Sequence, residues 1–164
     1  CLRLYQGNDL IGVQIGSTLK NPLAVAAGMV DGLGLGANAR SALITRSLAE
    51  MIRLGVRLGA RMETFTGLAG IGDLILSSTS DMSRNRRLGL AIGRGDSTDS
   101  ARKGIGQVVE SLDNIASILA IAKHHGVPMP IVNEVHRVLE GKQTAKQAMN
   151  RLLARTATTE HKKT

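Results

Sequence analysis

Between residues 10 and 31 the chain reads LIGVQIGSTLKNPLAVAAGMVD, a mostly apolar stretch whose only charges are Lys20 and the closing Asp31. Its length and alanine content predict a helix rather than a strand, with Asn8 or Asp9 as the N-cap. Pro22 removes one backbone hydrogen bond inside it and predicts a kink just after Lys20 and Asn21. The glycines of DGLGLGAN then break the chain. A second, amphipathic helix is predicted from about Asn38 to Leu58, with Ala42, Leu43, Leu48, Ala49, Ile52 and Val56 on its apolar face. In METFTGLAGIGDLILSSTS, residues 62–80, glycines separate two short helical pieces, the second opened by Asp73. A further short helix starts in SDMSRNRRLGLAIG with Ser83 as its cap. The polar, glycine-rich GRGDSTDSARKGIG, residues 93–106, reads as a mobile loop. Leu112, Ile115, Ile118, Leu119 and Ala122 set a helical period over 108–125, ended by Gly126 and Pro128. Two more helices are expected at about 130–140 and 144–154.

The ends read differently. CLRLY alternates apolar and polar positions before a Gly-Asn-Asp turn, so residues 1–7 are expected to be the tail of a strand and linker whose sheet lies upstream. The polar residues 156–164 are expected to be disordered. Residues 8–155 are thus expected to form an all-α, multi-helix domain attached to something absent.

Charge complicates this picture. The 164 residues carry a net charge of +8, which suggests an anionic partner. Tyr5 and Phe65 are the only aromatic residues, so platforms for stacking bases are excluded and a small anion is favoured. The alternative is a free-standing basic helical module that binds nucleic acid or another polyanion, since residues 84–103 hold six basic and two acidic side chains. Cys1 is the only cysteine, which excludes an internal disulfide framework and a Cys-rich zinc site. No apolar run approaches the roughly 18 residues of a membrane span. No basic segment followed by an apolar one marks a signal peptide, and a cytoplasmic location is expected.

Three places could carry chemistry. Lys20 has Gly16, Ser17, Leu23 and Ala24 as its helical neighbours, small enough for a close approach by another element or a ligand; such a lysine either snorkels to the surface or is buried and functional. Asp73 is the one carboxylate in a long apolar stretch, and capping a helix would account for it. Arg84, Arg86 and Arg87 crowd the start of a helix, where the positive dipole end disfavours cations. Together with Ser83 and Asn85 they are suited to hold a phosphate, or else form a solvated basic turn. Glu110 in a first turn and His124 and His125 at a helix end are accounted for by the dipole. No metal site is evident.

Taken in order, GVQIGSTLKN, AAGMVDGLGLGANARSALITRSLAEM, TFTGLAGIGDLILSSTSDMSRNRRLG and GQVVE resemble the C-terminal domain of bacterial NAD(P)-dependent glycerol-3-phosphate dehydrogenase. The resemblance covers residues 3 to 154. It implies an all-α domain of the 6-phosphogluconate-dehydrogenase-like type, joined in the complete enzyme to an N-terminal Rossmann domain that binds most of the NAD or NADP. It further implies interconversion of sn-glycerol 3-phosphate and dihydroxyacetone phosphate, which supplies phospholipid synthesis, and it leaves a homodimer open. The lysine of the LKN motif, Lys20, would be the proton acceptor. Asp73, Ser83, Arg84 and Asn85 would contact the glycerol phosphate, with Arg84, Val108 and Glu110 touching the cofactor. The fragment by itself is expected to be inactive.

Overall fold

A computed structural model describes residues 6–106 and 114–155. The expected strand tail in residues 1–5, the first part of the helix predicted over 108–125 and the tail 156–164 lie outside the described residues. Among the described residues every regular element is helical.

Helix α1, Leu10–Gly32, forms the axis of the domain. Asp9 caps it by accepting from Gly12 N at 2.9 Å. The same carboxylate accepts from Thr64 Oγ1 at 2.6 Å and from Arg61 N at 2.9 Å. These bonds, the one from Thr64 foremost, hold Asp9 below its ordinary carboxylate range. Pro22 is accommodated inside the helix, and every residue from Pro22 to Val30 is buried. A segment apolar on all sides is stable only when surrounded, which accounts for the unbroken hydrophobic run.

Helix α2, Gly36–Arg57, buries Leu43, Ser47, Glu50, Met51, Leu54 and Gly55. This face is rotated from the predicted one, leaving Ala42 and Val56 exposed. Glu50 lies on this buried face, where its carboxyl accepts from Ile131 N and Val132 N.

The segment predicted as two pieces is three: α3, Met62–Thr66; a wide π turn, Leu68–Gly72; and α4, Asp73–Thr79. Phe65 is fully buried, with its ring against Gly55, where even a methyl group would overlap it.

Helix α5, Arg84–Gly93, begins at Ser83 as predicted, with Ser83 Oγ accepting from Arg86 N at 3.3 Å. It packs on α1 through glycines. A Cβ on Gly89 would lie 2.0 Å from the Val25 carbonyl oxygen, and one on Gly28 would lie 2.1 Å from that of Arg86. Gly32 and Gly93 meet further along. Residue numbers rise together on both helices, so α1 and α5 run side by side in the same direction.

The predicted loop at 93–106 is instead largely helix α6, Thr98–Ile105. Ser97 caps it by accepting from Ser100 N, Asp99 stands in the first turn, Arg102 and Lys103 in the last, and Gly106 closes it in the left-handed conformation at φ 69°. These local signals suffice for a helix that buries only Ala101. Helices α7, Ile115–His124, α8, Pro130–Leu139, and α9, Ala145–Leu153, complete the fold. Ile115, Ile118 and Ala122 of α7 are buried, in the predicted period. No helix among the described residues is long and apolar enough to cross a membrane.

Candidate active site

The side-by-side course of α1 and α5 brings the middle of one helix to the start of the other. Asn85 Nδ2, in the first turn of α5, donates to Asn21 Oδ1 of α1 at 2.9 Å. Lys20, next to Asn21, reaches in another direction and donates from Nζ to Asp73 Oδ2 at 2.5 Å. The side chains of Lys20 and Asp73 are 26% and 30% exposed, so the pair lies at the rim of the domain, within reach of a ligand.

Asp73 is not an N-cap. Gly72 occupies that position and no side chain caps α4; Asp73 is the first helical residue, and its carboxylate turns to Lys20. The π turn delivers it there. This turn rests on α1 at Gly16, where an added Cβ would stand 2.7 Å from the Ala69 carbonyl oxygen. Gly16 lies one turn before Lys20, so the small neighbours noted in the sequence serve the approach of the π turn. Such wide turns recur where a helix must reposition a functional side chain. Ser77, one turn further along α4, donates to Asp73 Oδ1 at 3.4 Å. Asn21 and Ser77 were missed by sequence reasoning, although Asn21 belongs to the LKN motif and Ser77 follows Asp73 at the i+4 spacing.

Ser83 and Arg84 flank the same helix start. The Ser83 oxygen is committed to capping, which leaves its O–H to donate. Arg84 is exposed and Asn85 half-buried. Lys20, Asp73 and Asn85 are thus joined through α1, with Ser83 and Arg84 as chain neighbours of Asn85. Val108 and Glu110 lie outside the described residues.

The three clustered arginines separate by exposure, Arg84 and Arg87 lying on the surface. Arg86 is buried, and its Nε and Nη2 both donate to Asp31 Oδ2, at 3.1 and 2.7 Å. Its Nη1 donates to Asp81 Oδ1 at 2.5 Å. Burial would lower its pKa, but the bonds to Asp31 and Asp81 outweigh that and raise it. The anion answering Arg86 is therefore internal. Arg40 completes the group by donating to both oxygens of Asp31, at 2.9 and 3.1 Å.

Around the site the large apolar side chains of Leu68, Leu76 and Met82 are exposed. Among the described residues no group of three or more His, Cys, Asp or Glu could hold a metal ion. The glycines of DGLGLGAN join α1 to α2 without a preceding strand, so they do not form the strand–turn–helix of a dinucleotide site.

Residues 9–150 match the family described as NAD-dependent glycerol-3-phosphate dehydrogenase C-terminus. A glycerol-3-phosphate dehydrogenase (NAD(P)+) of Xanthomonas euvesicatoria is 52% identical over 162 residues, 99% of this chain and 48% of that protein. Its counterpart in Photobacterium profundum is 54% identical over 153 residues, 93% of this chain and 45% of that protein. The crystal structure of glycerol-3-phosphate dehydrogenase from Coxiella burnetii superposes with a TM-score of 0.89 at 48% identity, covering 93% of this chain and 47% of that one. The chain spans about half the length of the curated relatives it matches. By the match over residues 9–150, the chain belongs to the family of NAD-dependent glycerol-3-phosphate dehydrogenase C-terminal domains.

Proposed function

We propose that this chain is the substrate-binding and catalytic half of an NAD(P)-dependent sn-glycerol-3-phosphate dehydrogenase, an oxidoreductase that interconverts sn-glycerol 3-phosphate and dihydroxyacetone phosphate. The observation that carries this reading is the Lys20–Asp73 contact one residue away from the Asn21–Asn85 bond. An amine able to take a proton and a helix start suited to an anion are thereby held on one short stretch of α1.

The phosphate binds at the start of α5. Ser83 O–H, the Arg84 guanidinium and the Asn85 amide donate to its oxygens, and the dipole of α5 favours its charge. The C2 hydroxyl then lies against Lys20. As the alcohol is oxidised, Lys20 Nζ accepts the hydroxyl proton, and the Asp73 carboxylate stabilises the ammonium that forms. In reduction Lys20 returns that proton to the carbonyl oxygen. Asn21 fixes Asn85 and keeps it level with Lys20. NAD or NADP, when bound, supplies the nicotinamide that exchanges hydride with C2. It is held mainly by an N-terminal Rossmann half, and Arg84, Val108 and Glu110 are the residues of this chain that the resemblance assigns to it. The chain by itself is therefore inactive in redox turnover. The enzyme works in the cytoplasm and feeds phospholipid synthesis.

The nucleic-acid alternative loses support because Arg86, one of the six basic residues counted for it, is engaged by Asp31 and Asp81. The test is Lys20→Ala in the full-length enzyme that carries this domain. Turnover at saturating sn-glycerol 3-phosphate should fall about a hundred- to ten-thousand-fold, as expected for loss of a general acid–base group, with KM changing far less. Unchanged turnover would remove Lys20 from the mechanism.

A further inference from the structure

Two charges near the site stand at helix ends that disfavour them. Asp31 is in the last turn of α1, at the negative end of the dipole, and Arg86 is in the first turn of α5, at the positive end. Neither placement helps its own helix. Each is held by tertiary contacts instead, and the guanidinium of Arg86 has a particular shape of contact. Its Nε and Nη2 grip Asp31, whose side chain is only 10% exposed and is held from the other side by Arg40. Its remaining arm, Nη1, extends to Asp81, whose side chain is 92% exposed.

Asp81 lies in the turn between α4 and α5, the segment that leads into Ser83, Arg84 and Asn85. The backbone bonds of this turn are local: Ser80 N donates to Leu76 O, and Ser83 N to Ser80 O, each at 3.1 Å. Met82 N donates to Ser80 Oγ at 3.2 Å. Such bonds fix the internal shape of the turn but do not set where it stands relative to α1. The Asp81–Arg86–Asp31 chain ties the turn itself to α1, in addition to the Asn85–Asn21 bond and the backbone packing at Gly28 that hold α5. It runs from the turn, through the buried guanidinium, to the packed end of α1, the helix that also carries Lys20.

We propose that Arg86 and Asp81 form a strut that sets the position of Ser83, Arg84 and Asn85 for the substrate's phosphate, making both positioning residues for glycerol phosphate recognition. The inference rests on the function proposed above and adds to it residues that touch no substrate. It uses the geometry of arginine, since a planar fork spans two carboxylates in fixed directions and a lysine ammonium does not.

Asp81 permits a test that separates positioning from stability. A carboxylate this exposed contributes little to folding, so Asp81→Asn should leave the thermal midpoint of the full-length enzyme within about 2 °C of the parent. KM for sn-glycerol 3-phosphate should rise about tenfold, since a small displacement of positioning groups is costly to recognition. kcat and KM for the dinucleotide should change less than about twofold. Asp81→Glu, which retains the carboxylate, should recover most of the loss. Arg86→Lys, which keeps the charge but not the fork, should raise the same KM even where its thermal midpoint is restored by a stabilising osmolyte. A substrate KM unchanged in Asp81→Asn would overturn the proposal. So would a fall in kcat that follows loss of folded protein while KM stays at the parent value, which assigns the pair to stability alone. A parent enzyme with no activity on glycerol phosphate would instead overturn the function proposed above, and the two failures are read from different proteins.

Discussion

Glu50 offers a quantitative test of how the core is built. It lies in α2 and is 1% exposed. Its Oε1 accepts from Ile131 N at 2.7 Å and its Oε2 from Val132 N at 3.3 Å. Helix α8 needs these acceptors because Met129 at its N-cap makes no side-chain bond and Pro130 has no N–H. Burial pushes the Glu50 carboxyl up from the ordinary 4.5 to about 7, outweighing the two backbone donors and the more distant Arg53 and Arg155, which pull it down. The folded state therefore keeps a proton on Glu50, between pH 4.5 and about 7, that the unfolded chain releases. Stability from this group is full below pH 4.5, declines as pH rises, and is flat above about 7. At about 1.4 kcal/mol per pH unit the loss across that window is on the order of 3 kcal/mol. Urea denaturation followed by circular dichroism at pH 5, 6, 7 and 8, at constant ionic strength, should therefore show the parent losing stability relative to Glu50→Gln as pH rises. The histidines are common to both proteins and cancel in the difference. Parallel stability curves for parent and variant would refute the reasoning.

The α1–α5 crossing should be intolerant of a single methyl group. Gly89→Ala places its Cβ 2.0 Å from the Val25 carbonyl, backbone against backbone with no rotamer to relieve it. A loss of about 3 kcal/mol or more is expected in the urea midpoint. Gly104→Ala in α6 is the control: its Cβ meets nothing within 4 Å, so the same measurement should show a gain of up to about 1 kcal/mol. Asp73→Asn keeps a hydrogen-bond acceptor for Lys20 but removes the charge that stabilises its ammonium. Steady-state kinetics of the full-length enzyme should show kcat reduced about tenfold or more, with KM for sn-glycerol 3-phosphate moved less.

What could be read from the sequence were the elements whose causes are local. The Asp9 and Ser83 caps, the helix-ending Gly126 and the apolar period of α7 depend on residues within a few positions of one another, and they appear where expected. Helix α6 also has local causes, yet polar composition concealed it: Ser97 and Gly106 are cap signals at the spacing of a two-turn helix. The rest depended on partners far along the chain. Asp73 reads as a cap until Lys20, 53 residues earlier, meets it. Arg86 reads as part of a basic cluster until Asp31, 55 residues away, engages it. Glu50 is absent from the predicted apolar face of α2, and nothing near it in sequence shows that the N–H groups of α8, 81 and 82 residues on, lack a cap. Composition and spacing register which residues are present, whereas these roles depend on which helix ends meet.

The candidate site sits in the middle of α1, where backbone contacts on either side can hold its shape. A reactive amine and a phosphate cradle must keep their separation to a fraction of an ångström for either to be useful. Side-chain packing alone leaves room for adjustment, but backbone against backbone leaves little. Along α1 the π turn meets Gly16, ahead of Lys20, and α5 meets Gly28 and Gly32 beyond it, in both cases so closely that a Cβ would overlap a carbonyl oxygen. Lys20 and Asn21 thus lie between two points where the main chains of other elements are pressed onto their own helix. The element that brings Asp73 and the element that brings Asn85 are each pinned to α1 by backbone contact, independently of the side chains proposed to do the chemistry. Those side chains can then remain partly exposed to receive a ligand without the site losing its shape.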